Sequence, residues 1–154
     1  MRKNIVLVLL VVFFAALFVC KEGVAKNTTK KEAGMFEKIY NVAPVTDGVR
    51  KITYDQFMQL RNSGEKYVLV DVLSADSFKD GHIEGSISLP FDTINEKSAK
   101  AKIAKGSHVV TYCASFQCLA STKAASEIAK LGYKTLDYKG GLKEWQENGN
   151  KLVK

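Results

Sequence analysis

Short runs of consecutive apolar residues alternate along the chain with stretches in which apolar residues recur at helical spacing. Residues 67–72 are apolar except for Asp71, which is typical of a strand buried on both faces of a parallel sheet. Residues 121–130 place alanine and isoleucine on one helical face, and Gly132 follows as a common helix end. This alternation predicts a single α/β domain in which helices flank both faces of a parallel sheet.

The same patterns give bounds for the individual elements. They predict strands at residues 51–53, 67–72, 87–89, 108–112 and 135–138. They predict helices at residues 54–61, 74–79, 95–104, 121–130 and 142–147. Thr53 has a suitable side chain for the N-cap of the first helix. Residues 35–45 carry apolar positions without a clear period, so we expect this segment to wrap onto the surface of the domain.

The first 25 residues have the composition of a targeting segment. Two basic residues precede an unbroken apolar run at residues 5–20, and small residues lead to a cleavage site after Ala25. We predict a signal peptide over residues 1–25. The alternatives are an uncleaved anchor and a lipid anchor on Cys20, either of which would tether the domain to a membrane. All three forms predict export, to the periplasm or the outer face of the membrane.

The remainder of the chain divides into three parts. Residues 26–48 are predicted to be a linker and N-terminal extension, because they begin polar and basic and show no regular period. Residues 49–149 hold the alternating strands and helices and form the predicted domain. Residues 150–154 follow as a C-terminal tail. A chain of 154 residues suits one such domain.

The charge of the chain narrows the classes of molecule that we expect it to bind. There are 23 Lys and Arg residues against 16 Asp and Glu, a formal net charge of +7. The lysines are scattered and form no dense stripe with interleaved aromatic residues, so we expect no nucleic-acid partner. They form a solvated basic surface whose mild positive field could attract small anionic substrates.

Cysteine usage excludes two common roles. Outside residues 1–25 the chain has two cysteines, Cys113 and Cys118. Two cysteines are too few for a disulfide framework. Both histidines of the chain, His82 and His108, lie far away in sequence, and the C-x4-C spacing lacks the second ligand pair of a zinc site. We therefore predict no metal site.

Cys113 is the strongest candidate for a reactive residue. It ends the predicted strand at residues 108–112 and opens a short loop that leads into a helix. Backbone N–H groups and the helix dipole favour an anion at such a position. The sequence therefore predicts a lowered pKa for Cys113 and a thiolate at neutral pH. The alternative is a buried, inert thiol, since cysteine is among the most buried residue types.

Four segments carry a resemblance to a known family. They are Val-Leu-Val-Asp-Val at residues 68–72, Gly-His-Ile-Glu-Gly-Ser-Ile-Ser-Leu-Pro at residues 81–90, the strand, loop and helix around Cys113, and Gly-Gly-Leu-x-x-Trp at residues 140–145. In this order and spacing, residues 49–149 resemble the rhodanese domain. The resemblance implies a parallel α/β fold in which Cys113 takes sulfane sulfur from a small donor. Cys113 would hold this sulfur as a persulfide and pass it to an acceptor thiol, cyanide or another nucleophile, without metal or organic cofactor.

The resemblance also assigns a substrate-binding loop. It consists of Ala114, Ser115, Phe116, Gln117 and Cys118. We expect the N–H groups of residues 115–118 to converge on the outer sulfur of the persulfide. Many family members have arginine at the position of Cys118, and often also at that of Leu73. This loop has no charged residue, which puts thiosulfate in doubt as the donor and favours polysulfide or a persulfide.

Three other residues have open roles. Cys118 is either a resolving thiol that attacks the Cys113 persulfide and leaves a disulfide, or a side chain that fills the first helical turn. Asp71 and His82 are candidates for acid–base chemistry, but by resemblance to the family both hold loops through hydrogen bonds. The leading prediction is thus a sulfurtransferase. The alternatives are a thiol–disulfide protein that uses both cysteines and a non-catalytic rhodanese-like binding module.

Overall fold

A computed structural model of the chain describes residues 32–154. The signal peptide predicted at residues 1–25 lies outside the described residues, and so does most of the predicted linker. Within the described part, no helix has the length and apolar character needed to cross a membrane.

The described residues form one sheet and six α-helices. The strands are β1 (Val45–Thr46), β2 (Val49–Ile52), β3 (Val68–Asp71), β4 (Ser86–Ser88), β5 (His108–Tyr112) and β6 (Lys134–Tyr138). The helices are α1 (Met35–Val42), α2 (Tyr54–Asn62), α3 (Ala75–Asp80), α4 (Glu96–Lys102), α5 (Ala120–Lys130) and α6 (Gly141–Glu147). A 3-10 turn at Phe91–Thr93 precedes α4.

The sheet has the strand order β1-β2-β6-β5-β3-β4. Its five strands from β2 to β4 are parallel, and β1 pairs antiparallel with β2. In the register, Tyr112 lies beside both Asp71 and Tyr138. The carboxyl ends of the central strands therefore meet at one edge of the sheet, where parallel α/β domains place their sites.

Helices cover both faces of the sheet, which confirms the predicted class. On one face, α1, α2 and α6 bury an aromatic core that includes Phe36, Phe57, Tyr138 and Trp145. On the other face, α4 and α5 pack aliphatic side chains such as Ile103 and Ile128 onto the sheet. Strands covered on both sides need continuously apolar sequences, which is why the run at residues 67–72 identified β3.

The folded unit extends further towards the N-terminus than residue 49, where the sequence predicted the domain to begin. Instead of wrapping onto the surface, residues 35–42 form α1, and Phe36 and Ile39 are buried in the aromatic core. The Phe36 ring stacks on His108 at 4.0 Å between centroids. Residues 45–46 then form β1 as an edge strand of the sheet.

Side-chain caps set several helix ends. Thr53 is the N-cap of α2, where it forms a reciprocal capping box with Gln56, as predicted for this position. Ser74 and Asn95 cap α3 and α4 from outside, so both helices begin one residue later than predicted. Short polar side chains at these positions accept N–H groups of the first turn that have no partner within the helix.

Candidate active site

Cys113 lies directly after β5, at the carboxyl edge of the sheet. Its strand is central and pairs with β3 on one side and β6 on the other. The residue is only 1% exposed, so its sulfur lies inside the loop that follows and not on the open surface.

The N-terminus of α6 fixes the beginning of the loop. The N–H of Leu142 donates to the carbonyl oxygen of Cys113 at 2.9 Å, and the N–H of Lys143 donates to that of Ala114 at 2.9 Å. Gly141 has a φ of +60°, and a Cβ at this residue would clash with the Cys113 carbonyl oxygen. The Gly140-Gly141 pair of the sequence therefore supplies a close backbone approach that only glycine allows.

The loop curls over the Cys113 sulfur. The Cys113 sulfur lies within hydrogen-bond reach of three oxygens, the carbonyl oxygens of Cys118 at 3.5 Å and of Ser115 at 3.9 Å and the hydroxyl of Ser121 at 3.4 Å, and its single S–H donates to one of them at a time. Carbonyl oxygens of residues 115 and 118 thus contact the thiol sulfur itself, and the prediction that N–H groups of residues 115–118 converge on the outer sulfur of a persulfide stays a prediction. The N–H of Cys118 is used within the loop, where it donates to the carbonyl oxygen of Ser115 at 3.0 Å.

The predicted lowering of the Cys113 pKa is wrong for this arrangement. Burial raises the pKa of the Cys113 thiol, and its interaction with Cys118 raises it further. Hydrogen bonds from the side chain and backbone of Ser121 act in the opposite direction but do not outweigh these effects. Cys113 is therefore held as a protonated thiol that donates to the loop carbonyls.

For Cys118, the effects that lower the pKa outweigh those that raise it. Burial would raise its pKa, but interactions with the Cys113 thiol and with the N–H groups of Ala120 and Ala114 outweigh burial. The charge of Lys139 acts in the same direction, and the pKa of Cys118 is lowered. Of the two cysteines in residues 32–154, the partly exposed Cys118 thus provides the more stable thiolate.

Lys139 brings a positive charge to a loop that has none of its own. It follows β6, and its ammonium group donates to the carbonyl oxygen of Cys118. Sequence reasoning missed this residue, because it lies 21 positions from Cys118 and counts among many scattered lysines. The available signal was its place directly before the Gly140-Gly141 pair, whose close approach to Cys113 brings this segment to the loop.

The outer rim of the loop is apolar. Phe116 is 54% exposed and Leu119 is 59% exposed. Leu119 also lines an open cavity of about 420 Å³ beside α5, together with Phe91 and the polar side chains of Thr122 and Lys123. The loop therefore presents two exposed apolar side chains to an approaching molecule.

Beneath the loop lies a buried carboxyl group that sequence reasoning did not select. Asp137 of β6 is fully buried and accepts a hydrogen bond from the Thr122 hydroxyl at 2.7 Å. Burial raises the pKa of Asp137, and its hydrogen bonds with Thr122 and Ser121 only partly oppose this. It therefore belongs to the polar support of α5 below Cys113.

Asp71 and His82 make contacts that hold other loops. Asp71 is fully buried, accepts the N–H of Leu73 at 2.9 Å, and has a pKa raised by burial. A ring nitrogen of His82 lies 2.9 Å from the carbonyl oxygen of Phe78, and the His82 backbone pairs with Val153. These contacts tie loops beyond β3 and α3 to the domain and fit the loop-holding role better than acid–base chemistry.

Residues 32–154 contain no group of three or more His, Cys, Asp or Glu side chains that could hold a metal ion. The loop itself brings together two thiols with opposite pKa shifts, one lysine charge and a hydroxyl group.

Comparison with known proteins identifies the family. Residues 53–148 match the sequence pattern of the family described as "Rhodanese-like domain". The chain belongs to this family, as the four segments around Cys113 predicted.

Individual relatives agree with this assignment. The chain is 34% identical over 125 residues to a Schizosaccharomyces pombe protein named "Putative thiosulfate sulfurtransferase, mitochondrial", an alignment that covers 73% of this chain and 75% of that protein. The crystal structure of the BH2092 protein from Bacillus halodurans superposes with a TM-score of 0.61 at 30% identity, over 67% of this chain and 75% of that one. A rhodanese-related protein from Thermoplasma volcanium has a TM-score of 0.53 at 25% identity, over 67% and 96% of the two chains. Together these matches support a sulfurtransferase family.

Proposed function

We propose that the domain is a sulfurtransferase that carries sulfane sulfur as a persulfide on Cys113. The observation that supports this most is the enclosure of the Cys113 sulfur by the loop at the carboxyl edge of the sheet. An enclosed sulfur is protected from water and bulk oxidants, which a persulfide requires during its lifetime. The exposed apolar rim of Phe116 and Leu119 is the surface at which we expect small donors and acceptors to approach.

The reaction has two balanced steps. A donor R–S–SH gives its outer sulfur to the Cys113 thiol, which forms Cys113–S–SH and releases R–SH. An acceptor thiol R′–SH then attacks the outer sulfur, which forms R′–S–SH and restores the Cys113 thiol. Each step exchanges one sulfur–sulfur bond for another, so it needs no external oxidant or reductant. A covalent intermediate on a cysteine divides the transfer into two simpler displacements.

The charge of the loop favours a singly charged donor. A dianion such as thiosulfate is best held by a bidentate arginine, and the described loop offers only the single charge of Lys139. The terminal sulfur of a polysulfide or a low-molecular-weight persulfide carries one charge. Because the S. pombe relative is named for thiosulfate, both donor types belong in the test.

Intact-mass spectrometry of the purified chain tests this function directly. All variants carry Cys20→Ser, so that the thiols at positions 113 and 118 are the only ones present. After reduction and exposure to polysulfide or thiosulfate, we expect Cys118→Ser, which has no second thiol, to bind sulfur and Cys113→Ser to bind none. Sulfur on Cys113→Ser, or none on Cys118→Ser, would contradict the proposal. A Cys113 that also resists alkylation would indicate the non-catalytic binding module.

A further inference from the structure

We propose that Cys118 attacks the persulfide on Cys113, releases its outer sulfur as hydrosulfide and leaves a Cys113–Cys118 disulfide. This inference rests on the proposed function, because it begins from the loaded Cys113. It assigns a second activity to the same loop, the reduction of sulfane sulfur to sulfide, and it gives Lys139 a role as a positioning residue for Cys118.

The backbone of the loop already brings the two cysteines together. The Cys113 sulfur lies 3.5 Å from the carbonyl oxygen of Cys118, and the two thiols interact directly. A disulfide needs Cα atoms within roughly 7 Å of each other. The carbonyl oxygen is two bonds from its own Cα, so the contact at 3.5 Å holds Cys118 near this range before any sulfur is added.

Lys139 holds Cys118 in this place. Its ammonium group and the Cys113 thiol donate to the same acceptor, the carbonyl oxygen of Cys118. The loop between the two cysteines contains no charged residue, and Lys139 brings a cation into contact with it. Its position stabilises an anion on the Cys118 sulfur, as its effect on the pKa of Cys118 indicates.

Leaving-group chemistry selects the inner sulfur of the persulfide as the target. Attack on the outer sulfur would expel the thiolate of Cys113, whose pKa is raised by burial. Attack on the inner sulfur expels hydrosulfide, the anion of a stronger acid than a buried cysteine thiol. Exchange is faster when the leaving sulfur has the lower pKa. The inner sulfur is also the atom that contacts residue 118.

The step balances in atoms, charge and electrons. The thiolate Cys118–S⁻ and the persulfide Cys113–S–SH give Cys113–S–S–Cys118 and HS⁻. The sulfur–sulfur bond of the persulfide breaks, the bond between the cysteines forms, and the persulfide proton leaves with the hydrosulfide. The sulfane sulfur gains two electrons, and the two cysteine sulfurs supply them. An external dithiol reductant returns both cysteines to thiols by exchange.

A single-turnover experiment on the full chain separates this step from sulfur loading. Protein in the Cys20→Ser background is reduced, freed of reductant under anaerobic conditions and treated with limiting polysulfide. We expect a Cys113–Cys118 disulfide in the peptide map and, without added thiol, one equivalent of sulfide more than Cys118→Ser releases when the same polysulfide loads it. Cys118→Ser should keep its sulfur on Cys113 and release this further equivalent only after an acceptor thiol is added.

Lys139→Gln tests the positioning role, with Lys130→Gln as the matched control. Lys130 lies at the far end of α5, is paired with Glu127, and is exposed. For Lys139→Gln we expect normal loading of Cys113 but sulfide release slowed severalfold, because Cys118 loses both the anchor of its carbonyl oxygen and a charge that lowers its pKa. Lys130→Gln should load and release like the parent.

Three outcomes would overturn the inference. A persulfide that persists on Cys113 in the parent without added thiol would show that Cys118 does not attack. A persulfide recovered on Cys118 would show attack on the outer sulfur and a relay in place of sulfide release. If Cys113 loads in neither the parent nor Cys118→Ser, the proposed function itself fails, and the inference fails with it.

Discussion

The two ends of β5 each place one titratable side chain at an edge of the same central strand, and their surroundings differ. At the amino end, His108 lies between two carboxylates, with Glu37 at 3.2 Å and Glu65 at 3.5 Å, and its ring stacks on Phe36. At the carboxyl end, the Cys113 thiol contacts neutral oxygens. The cation there, Lys139, does not contact this thiol but donates to the carbonyl oxygen of Cys118.

This comparison separates a structural end from a chemical end. At the His108 end, the Glu37–Lys134 ion pair, the contacts of His108 with two carboxylates and aromatic stacking join α1 to the sheet. At the Cys113 end, weak sulfur hydrogen bonds hold a group that must be free to change its bonds. The two ends are about 16 Å apart along the strand, which lets one be altered without the other.

The largest effect on stability should come from the structural end. Phe36→Ala removes a fully buried ring from the aromatic core, and we expect a loss of about 3–5 kcal/mol in the free energy of unfolding. Sulfur loading per folded molecule should not change. The matched control, Phe116→Ala at the exposed rim, should change stability by less than about 0.5 kcal/mol but alter the rate of loading. Denaturant unfolding measures the stability of each variant, and intact-mass assays measure its sulfur loading. Lost loading in Phe36→Ala together with lost stability in Phe116→Ala would refute the division between the two ends.

A smaller effect on stability, with a large one on chemistry, is expected at Gly141. Alanine there would clash with the Cys113 carbonyl oxygen and would also have to adopt the φ of +60°. The free energy of unfolding should therefore fall by more than the ~1–2 kcal/mol that backbone strain alone would cost, and sulfur loading should fall sharply. Gly149→Ala is the control, because its φ is +80° but its Cβ would meet open space. Equal effects of the two substitutions on loading would show that the contact with α6 does not position Cys113.

The thiol pair offers a prediction about pH. Because interaction with Cys118 helps to raise the pKa of Cys113, Cys118→Ala should shift the alkylation of Cys113 towards lower pH. In the parent, Cys118 should react at lower pH than Cys113. The groups that face the pair are Ser121 and Lys139, and neither changes in this variant. Iodoacetamide labelling followed by peptide mapping gives both profiles, and an upward shift for Cys113 would contradict the assigned interaction.

The smallest effect on the free energy of unfolding is expected when Glu37 is replaced by glutamine. A hydrogen bond from Lys134 holds the pKa of Glu37 below its usual range against the effect of burial, and His108 contributes further. A carboxyl group with a lowered pKa stabilises the fold above its usual pKa and loses this contribution as the pH falls through the folded value. Glu37→Gln should therefore cost about 0.5–1 kcal/mol at neutral pH and nothing in strong acid. A loss that does not depend on pH would indicate a packing effect, and the exposed Glu147→Gln serves as control.

Local sequence patterns predicted most of the fold. β5 was predicted at its observed bounds, and Thr53 was identified as the N-cap of α2. Both predictions depend only on residues that are close in the chain. A strand buried on both faces has a continuously apolar sequence, and the cap of α2 involves a side chain three residues away. α1 and β1 were missed, because Phe36 and Val45 find their partners across the fold and their own segment has no clear period.

The same division applies to the candidate site. The position of Cys113 at the exit of a central strand follows from the pattern of residues 108–118. Its pKa does not, because the direction depends on burial and on which backbone atoms the loop turns inwards. Lys139 reaches the loop only through the parallel pairing of β5 with β6, and no local pattern encodes that pairing.

The antiparallel strand β1 affects whether molecules of this protein can associate through the edges of their sheets. β2 is the last parallel strand on its side of the sheet, and β1 covers its outer backbone groups. A chain shortened to residue 49 would expose that row of N–H and C=O groups as a template for strands of other molecules. By covering the edge of β2, the two-residue strand reduces the backbone surface open to such pairing, and we expect proteolysis before β2 to promote aggregation through that edge.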